Sequence, residues 1–282
     1  MAYGYAGKFL YIDLTKKKVE SKPLDMEMAR KFIGGKGFTA KILYDLLQPK
    51  IDPLSPDNVL VFATGPINGT IWPGGNKNIV ATKSPLTNIY MDSYFSGGFG
   101  AELKYAGYDA LIIKGKAEKP TYLWIDDANV EFRDATHIWG KTTYETYKIV
   151  KEELGDDTVK MVCIGPAGEN KVRFACVDAD VHRQAGRCGG GAVMGSKNLK
   201  AIAVRGSGEV EVAKLDELLD LAREGIILDT SNIKKSKFVI DKEEFLLWYE
   251  KNFGVREDSN KVIRAERING RMILRKIIRK LR

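Results

Sequence analysis

Residues 159–204 read VKMVCIGPAGENKVRFACVDADVHRQAGRCGGGAVMGSKNLKAIAV. Three short runs rich in Val, Ile and apolar residues, 159–164, 173–177 and 201–204, are expected as strands. Gly165-Pro166 punctuates the first, and a glycine-rich segment separates the second from the third. The same texture extends outward. Residues 8–14 alternate, and a Thr15-Lys16-Lys17-Lys18 turn leads to a strand near 19–21. Further strands are expected at 59–63, 78–82, 110–114, 121–125 and 130–133. Helices are fewer: 26–33 behind a capping Asp25, 38–47, 144–154 up to Gly155, and 216–223 ending at Gly225. This order lacks regular βαβ alternation. The reading is therefore an α+β fold of two packed, largely antiparallel β-sheets with a few short helices, followed by a short helical basic tail. The expected divisions are a domain at 1–209, a connecting helix at 210–229 and a tail at 230–282.

Within the opening stretch, residues 182–201 place Arg183 and Arg187 around Gly186, Gly189, Gly190 and Gly191. Glycine permits positive φ and removes the Cβ that keeps a ligand off the backbone N–H groups. Arginine offers a planar, permanently charged fork that suits phosphate. The segment reads either as a backbone cradle for a phosphorylated ligand or as a glycine-rich turn beside two solvated arginines. Two familiar nucleotide motifs fail here. A Walker A loop needs Gly-Lys-Ser/Thr, and the order is Gly195-Ser196-Lys197. A dinucleotide G-x-G-x-x-G fails at Met194. Its looser form at Gly35-Lys36-Gly37 follows a helix rather than a strand.

Composition sets the outer limits. The 282 residues are 44% hydrophobic and 10% aromatic, enough for a large core. No apolar run approaches the roughly 18 residues of a membrane span, and the first residues lack the pattern of a signal peptide. Cys163, Cys176 and Cys188 are too few and too widely spaced for a disulfide framework or a complete metal site. Cys163 and Cys176 are expected in buried strands, and a reducing cytoplasm is the expected setting. The net charge of +8 is confined to residues 230–282, which hold eight Lys and seven Arg against five Glu and two Asp. Residues 271–282, RMILRKIIRKLR, put Ile273, Leu274, Ile277, Ile278 and Leu281 on one face of an expected helix. Such a helix suits a membrane surface or nucleic acid, or packing on the main domain or a partner; out-of-frame sequence is the other reading. Elsewhere neither nucleic acid nor membrane is expected.

Three glycine clusters stand far apart: 72–77, 96–100 and 186–191. Brought together they would form one glycine-lined platform with cations at its rim; separately they are ordinary loop glycines.

ATKSPLTN (81–88), FGAELKYAGYDALIIKGKAEKP (99–120), RDATHIWGKTTYET (133–146), IGPAGENKVRFACV (164–177), HRQAGR (182–187) and GAVMGSKNLKAIAV (191–204) resemble the N-terminal domain of tungsten-containing aldehyde ferredoxin oxidoreductases. The resemblance runs from residue 1 to about 225. It implies a base of two sheets carrying a bis-pterin tungsten or molybdenum cofactor. Its motifs put Lys77, Tyr94, Ser96, Gly97, Arg183, Gln184, Gly186 and Arg187 at the pterin. Lys77 stands where the family often has Arg, and Tyr94 where it often has Asn. The family's metal is held by pterin dithiolenes, so neither protein metal ligands nor catalytic residues are expected here. The family oxidises aldehydes with water and passes electrons through a [4Fe–4S] cluster to ferredoxin. The cysteine run for that cluster is absent from these 282 residues. The expectation is a truncated chain, inactive alone and completed by a second polypeptide, or else a non-catalytic pterin-binding or assembly protein or a remnant.

Overall fold

The computed structural model describes residues 3–230, 261–268 and 271–278. The chain divides into two compact units, one of Met1–Thr70 and Asn76–Val212, the other of Ile71–Gly75 and Ala213–Arg282.

The first unit contains two six-stranded sheets. One is built from β1 (Lys8–Asp13), β2 (Lys18–Pro23), β3 (Leu60–Ala63), β4 (Lys77–Lys83), β5 (Tyr90–Ser96) and β6 (Ala110–Lys114), in the order β2-β1-β6-β3-β4-β5. The other is built from β7 (Thr121–Asp126), β8 (Asn129–Asp134), β9 (Lys160–Cys163), β10 (Val177–Ala179), β11 (Arg183–Ala185) and β12 (Leu199–Arg205), in the order β11-β10-β9-β12-β7-β8. Each sheet has one parallel pair, β1 with β6 and β12 with β7; the remaining pairs are antiparallel. The expected α+β arrangement of largely antiparallel sheets is therefore present.

Alternation along the strands sorts the side chains into layers. Leu10, Ile12, Phe62 and Leu111 of the first sheet share one core with Leu123, Val162, Ile202 and Val204 of the second. The helices α3 (Phe99–Tyr105) and α6 (Gly190–Ser196) add Phe99, Leu103, Val193 and Met194 to that core, so both lie between the sheets. The other face of the first sheet packs Val61, Ile79 and Ile112 against Ala29 of α1 (Met26–Phe32) and Phe38 and Ile42 of α2 (Lys36–Leu46). The far face of the second sheet packs Trp124 and Met161 against Val150 of α4 (Thr143–Leu154). The short α5 (Pro166–Glu169) follows β9. Each fully buried apolar side chain stabilises the fold by about 1.5–3 kcal/mol. An exposed pair such as Lys31–Glu27 gives about 0–1 kcal/mol, so the layers, not the surface, decide the fold.

Local signals set the helix ends. Asp25 accepts a hydrogen bond from the Glu27 N–H at 2.8 Å. Thr142 and Glu145 form a reciprocal capping box, and Gly155 closes α4 at φ 64°.

Several local expectations are corrected. The strand expected at 173–177 begins only at Val177. The backbone before it is taken by α6: the Gly191 N–H donates to the Ala175 carbonyl at 3.0 Å. Cys176 is consequently exposed rather than in a buried strand, whereas Cys163 is buried. Of the glycine run read as a cradle or a turn, Gly190 and Gly191 start α6 and Gly189 caps it. In the second unit, α7 (Leu215–Thr230) continues through Gly225, where an end was expected. The tail is not helical where it is described: β13 (Lys261–Ile268) pairs antiparallel with β14 (Arg271–Ile278). These segments are rich in Val and Ile, which favour strands. Asn269-Gly270, the dipeptide that two-residue hairpins prefer, stands between them in the sequence. The expected apolar residue Leu281 lies outside the described residues.

Candidate functional site

The site lies along a seam between the sheets. Strand β5 is the edge of one sheet and β11 the edge of the other. The chain from Asp180 to Arg187 runs beside the chain from Gly98 back to Ser93. Two long-range bonds fix this alignment. The Gly98 N–H donates to Asp180 Oδ2 at 2.6 Å, and the Arg187 N–H donates to Ser93 Oγ at 3.1 Å.

The cations come to this seam from both sheets. Lys77 opens β4 directly opposite Ser96 at the end of β5. Arg183 opens β11 opposite Ala179. Lys77, Arg183 and Arg187 are all exposed, and the charged ends of these three have no protein partner among the described residues. Gln184 is exposed, but its amide donates to Asp178 Oδ2 at 2.9 Å. The other oxygen of that carboxylate, Oδ1, is buried without a hydrogen bond. Burial is the main cause that pushes the Asp178 carboxyl up, and Gln184 opposes it.

Tyr94 occupies the opposite face of β5 from Ser93, paired in register with Ile79. It is 51% exposed. Its neighbours include Lys36, which bonds Asp92 at 3.0 Å and is held above its ordinary range chiefly by that carboxylate. The seam therefore gathers Ser96, Gly97, Arg183, Gln184, Gly186 and Arg187, with Lys77 and Tyr94 beside it on the sheet face shared with Ser96.

The glycines divide by role. A Cβ on Gly186 would meet nothing within 4 Å, so the backbone there is open to a ligand. Those in and before α6 are not. A Cβ on Gly189 would stand 2.0 Å from the Arg173 carbonyl oxygen, and one on Gly191 2.2 Å from that of Cys176. Gly100 is closed by Asn78 at 1.7 Å and Gly98 by the Lys160 side chain at 2.7 Å. Close packing demands these glycines. Along the seam, therefore, the packed glycines serve the fold, and Gly186 is the one whose backbone lies open. Gly74 and Gly75 of the first cluster belong to the second compact unit.

Sequence reasoning missed Ser93 and Asp180, which tie the two edges together. Neither carries a motif; only their spatial partners reveal them. Asp180 has φ 49° and Val181 φ 66°, a left-handed turn that is costly for a β-branched valine.

The donor set suits an anionic ligand. Two guanidinium forks, an ammonium, and an open Gly186 backbone are the chemistry that binds phosphate. Among the described residues no cluster of His, Cys, Asp and Glu is arranged to hold a metal ion.

The chain matches the family "Aldehyde ferredoxin oxidoreductase, N-terminal domain" over residues 9–206. It is 53% identical over 224 residues to a tungsten-containing aldehyde ferredoxin oxidoreductase of Pyrococcus abyssi, covering 79% of this chain and 37% of that protein. It is 43% identical over 238 residues to the WOR-like subunit of an aliphatic sulfonate oxidoreductase of Pyrococcus furiosus, covering 79% of this chain and 38% of that one. Among solved structures, the active site complex BamBC of benzoyl coenzyme A reductase superposes with a TM-score of 0.78 at 43% identity, covering 82% of this chain and 35% of that one. The chain thus spans little more than a third of the length of these relatives.

Proposed function

This chain belongs to the aldehyde ferredoxin oxidoreductase family through its N-terminal domain, and on that premise we propose that it forms the surface on which the bis-pterin tungsten cofactor of an oxidoreductase rests. The observation that carries this reading is the seam: exposed, unpartnered Arg183 and Arg187 beside the Ser96–Gly97 backbone. In this reading Arg183 and Arg187 take the pterin phosphates and Lys77 adds a third positive charge. Gly186, Ser96 and Gly97 bring backbone close to the ligand, while Gln184 and Tyr94 flank it. The bound metal supplies two-electron redox chemistry; these residues bind and orient. Tungsten is favoured over molybdenum by the relatives' descriptions.

The finer reading is aldehyde plus water to carboxylate, with electrons passed to ferredoxin. The relatives named for aldehyde oxidation support it. The likeness to a sulfonate oxidoreductase subunit and to a benzoyl coenzyme A reductase complex favours a second reading, in which the same platform serves another substrate. In either case ferredoxin-directed electron transfer draws its [4Fe–4S] ligands from outside these 282 residues. Such a cluster needs about four placed thiolates, and the sequence holds three cysteines, of which Cys163 is buried.

Removing the forks tests the platform. Arg183→Ala combined with Arg187→Ala is expected to abolish pterin retention while leaving thermal stability unchanged. Retention equal to wild type contradicts the reading. Anaerobic reconstitution with iron and sulfide tests the cluster statement: about four irons per chain, or aldehyde-dependent viologen reduction by this chain, contradicts it.

A further inference from the structure

Gly97 and Gly98 follow β5, and Asp180 sits in the turn from β10 to β11, 82 residues beyond Gly98 in sequence. The Gly98 N–H donates to Asp180 Oδ2 at 2.6 Å. Gly97 has φ 116°, and a Cβ there would stand 2.5 Å from the same oxygen. No side chain other than glycine's hydrogen leaves room for the carboxylate at this approach. The other oxygen, Oδ1, accepts from the Tyr147 hydroxyl at 3.3 Å, and that hydroxyl also reaches the Val159 carbonyl at 3.3 Å. Tyr147 belongs to α4, on the far side of the second sheet. Lys160 lies across Gly98. Burial pushes the Asp180 carboxyl up, and Lys160, the Gly98 and Met161 N–H groups and the Tyr147 hydroxyl oppose that shift. The left-handed φ of Asp180 and Val181 is maintained at a cost, as expected where surrounding structure fixes a turn.

We propose that Asp180 is the positioning residue of the cofactor seat: its carboxylate latches the Ser96–Gly97–Gly98 loop of one sheet to the Arg183–Arg187 segment of the other. The proposal rests on the platform reading above. Asp180 itself does not touch the ligand. It holds two ligand-bearing loops at one spacing, so that the arginine forks and the Gly97 backbone meet a rigid phosphate-bearing molecule together. Without the latch each loop retains its residues but the pair loses its register.

Hydrogen exchange and cofactor content, measured on the full 282-residue chain, separate the possibilities. Exchange is followed at the amides of residues 96–98 and 183–187. Pterin is quantified by the fluorescence of its oxidised product and tungsten by mass spectrometry, after production in cells that make the cofactor. Asp180→Ala removes the charge-assisted bond, so exchange in residues 96–98 is expected to accelerate about tenfold or more, and pterin per chain to fall several-fold. Asp180→Asn keeps an acceptor for Gly98 and is expected to recover part of both. Gly97→Ala drives a methyl into the carboxylate and should reproduce the Asp180→Ala result with Asp180 intact, which covers the case in which Asp180→Ala fails to fold. A wild type that retains pterin, with exchange unchanged in Asp180→Ala and Gly97→Ala, overturns the latch alone. Faster exchange with full pterin retention also overturns it, leaving Asp180 a purely structural tie. A wild type without pterin is the failure of the platform reading, and the exchange data then show whether the tie exists apart from it.

Discussion

The backbone N–H of Arg187 donates to Ser93 Oγ at 3.1 Å, joining the inner side of one sheet's edge strand to the loop that leaves the edge strand of the other. Ser93 is buried, so its hydroxyl serves the interior rather than solvent. With the Asp180 latch and the bond from the Ser84 hydroxyl to the Cys188 carbonyl at 2.7 Å, the Arg187–Ser93 bond ties the segment after β10 to the first sheet.

Ser93→Ala leaves the Arg187 N–H without its acceptor. The expected loss is about 1–2 kcal/mol of stability, read as a lower urea midpoint with unchanged slope. A midpoint equal to wild type would mean that water replaces the serine at no cost.

Lys77→Arg is expected to raise cofactor retention. A guanidinium makes two parallel bonds to phosphate where an ammonium acts as a point charge. Lys77 is exposed, so the substitution should move stability by no more than about 0.5 kcal/mol. Pterin content of the two proteins, prepared side by side, decides it; a lower content in the arginine variant contradicts the placement of Lys77 at the ligand.

Gly195→Ala should be severely destabilising and Gly186→Ala neutral for stability. A Cβ at Gly195 would stand 1.9 Å from the Gly168 carbonyl oxygen, whereas one at Gly186 meets nothing within 4 Å. Overpacking of this kind costs about 1–3 kcal/mol or more. Paired thermal melts test the contrast; equal melting temperatures would show that α6 does not press on the Gly168 turn.

Lys197 is fully buried and donates to the carbonyls of Pro56 at 3.1 Å, Asn58 at 2.5 Å and Gly115 at 3.0 Å. Lys197→Met orphans these carbonyls and is expected to cost about 3 kcal/mol or more. Burial pulls the Lys197 ammonium down to about 7. Its unfolded value is about 10.4, so between these values the unfolded chain binds a proton that the native chain lacks. The associated stability is fully present above about 10.4 and is lost as pH falls from there to about 7, with a slope of at most about 1.4 kcal/mol per pH unit. Raising the pH from about 7.5 to about 9.5, inside that window, should therefore raise the urea midpoint of wild type relative to Lys197→Met. Parallel pH profiles would show that the lysine keeps its proton throughout.

Much of this architecture was legible in the sequence. Alternation marked the β1 region and a short β-favouring apolar run marked β7, because each packs into a continuous apolar layer. β5 was missed because YMDSYFS mixes Asp and Ser with aromatics: Met91, Ser93 and Phe95 face inward while Tyr90 and Tyr94 face out. α6 was missed because GGAVMGS carries three glycines, which are poor helix formers; carbonyl contacts at Gly191 and Gly195 explain why nothing larger fits. In the site, the cations were legible as residue types with matching motifs. Asp180 was not, because its role depends on a partner 82 residues away and not on local spacing. The basic tail misled because an amphipathic pattern of isoleucines suits both periods, and Asn269-Gly270 carried the decisive hairpin signal.

The account stands most directly on whether this chain holds the cofactor. The measurement is pterin and tungsten per chain in the purified wild-type protein, produced with tungstate in cells that synthesise the pterin. The account predicts that both co-purify with the chain, at about two pterins for each tungsten as a bis-pterin complex requires. Wild-type chain that is folded yet free of pterin under those conditions contradicts it.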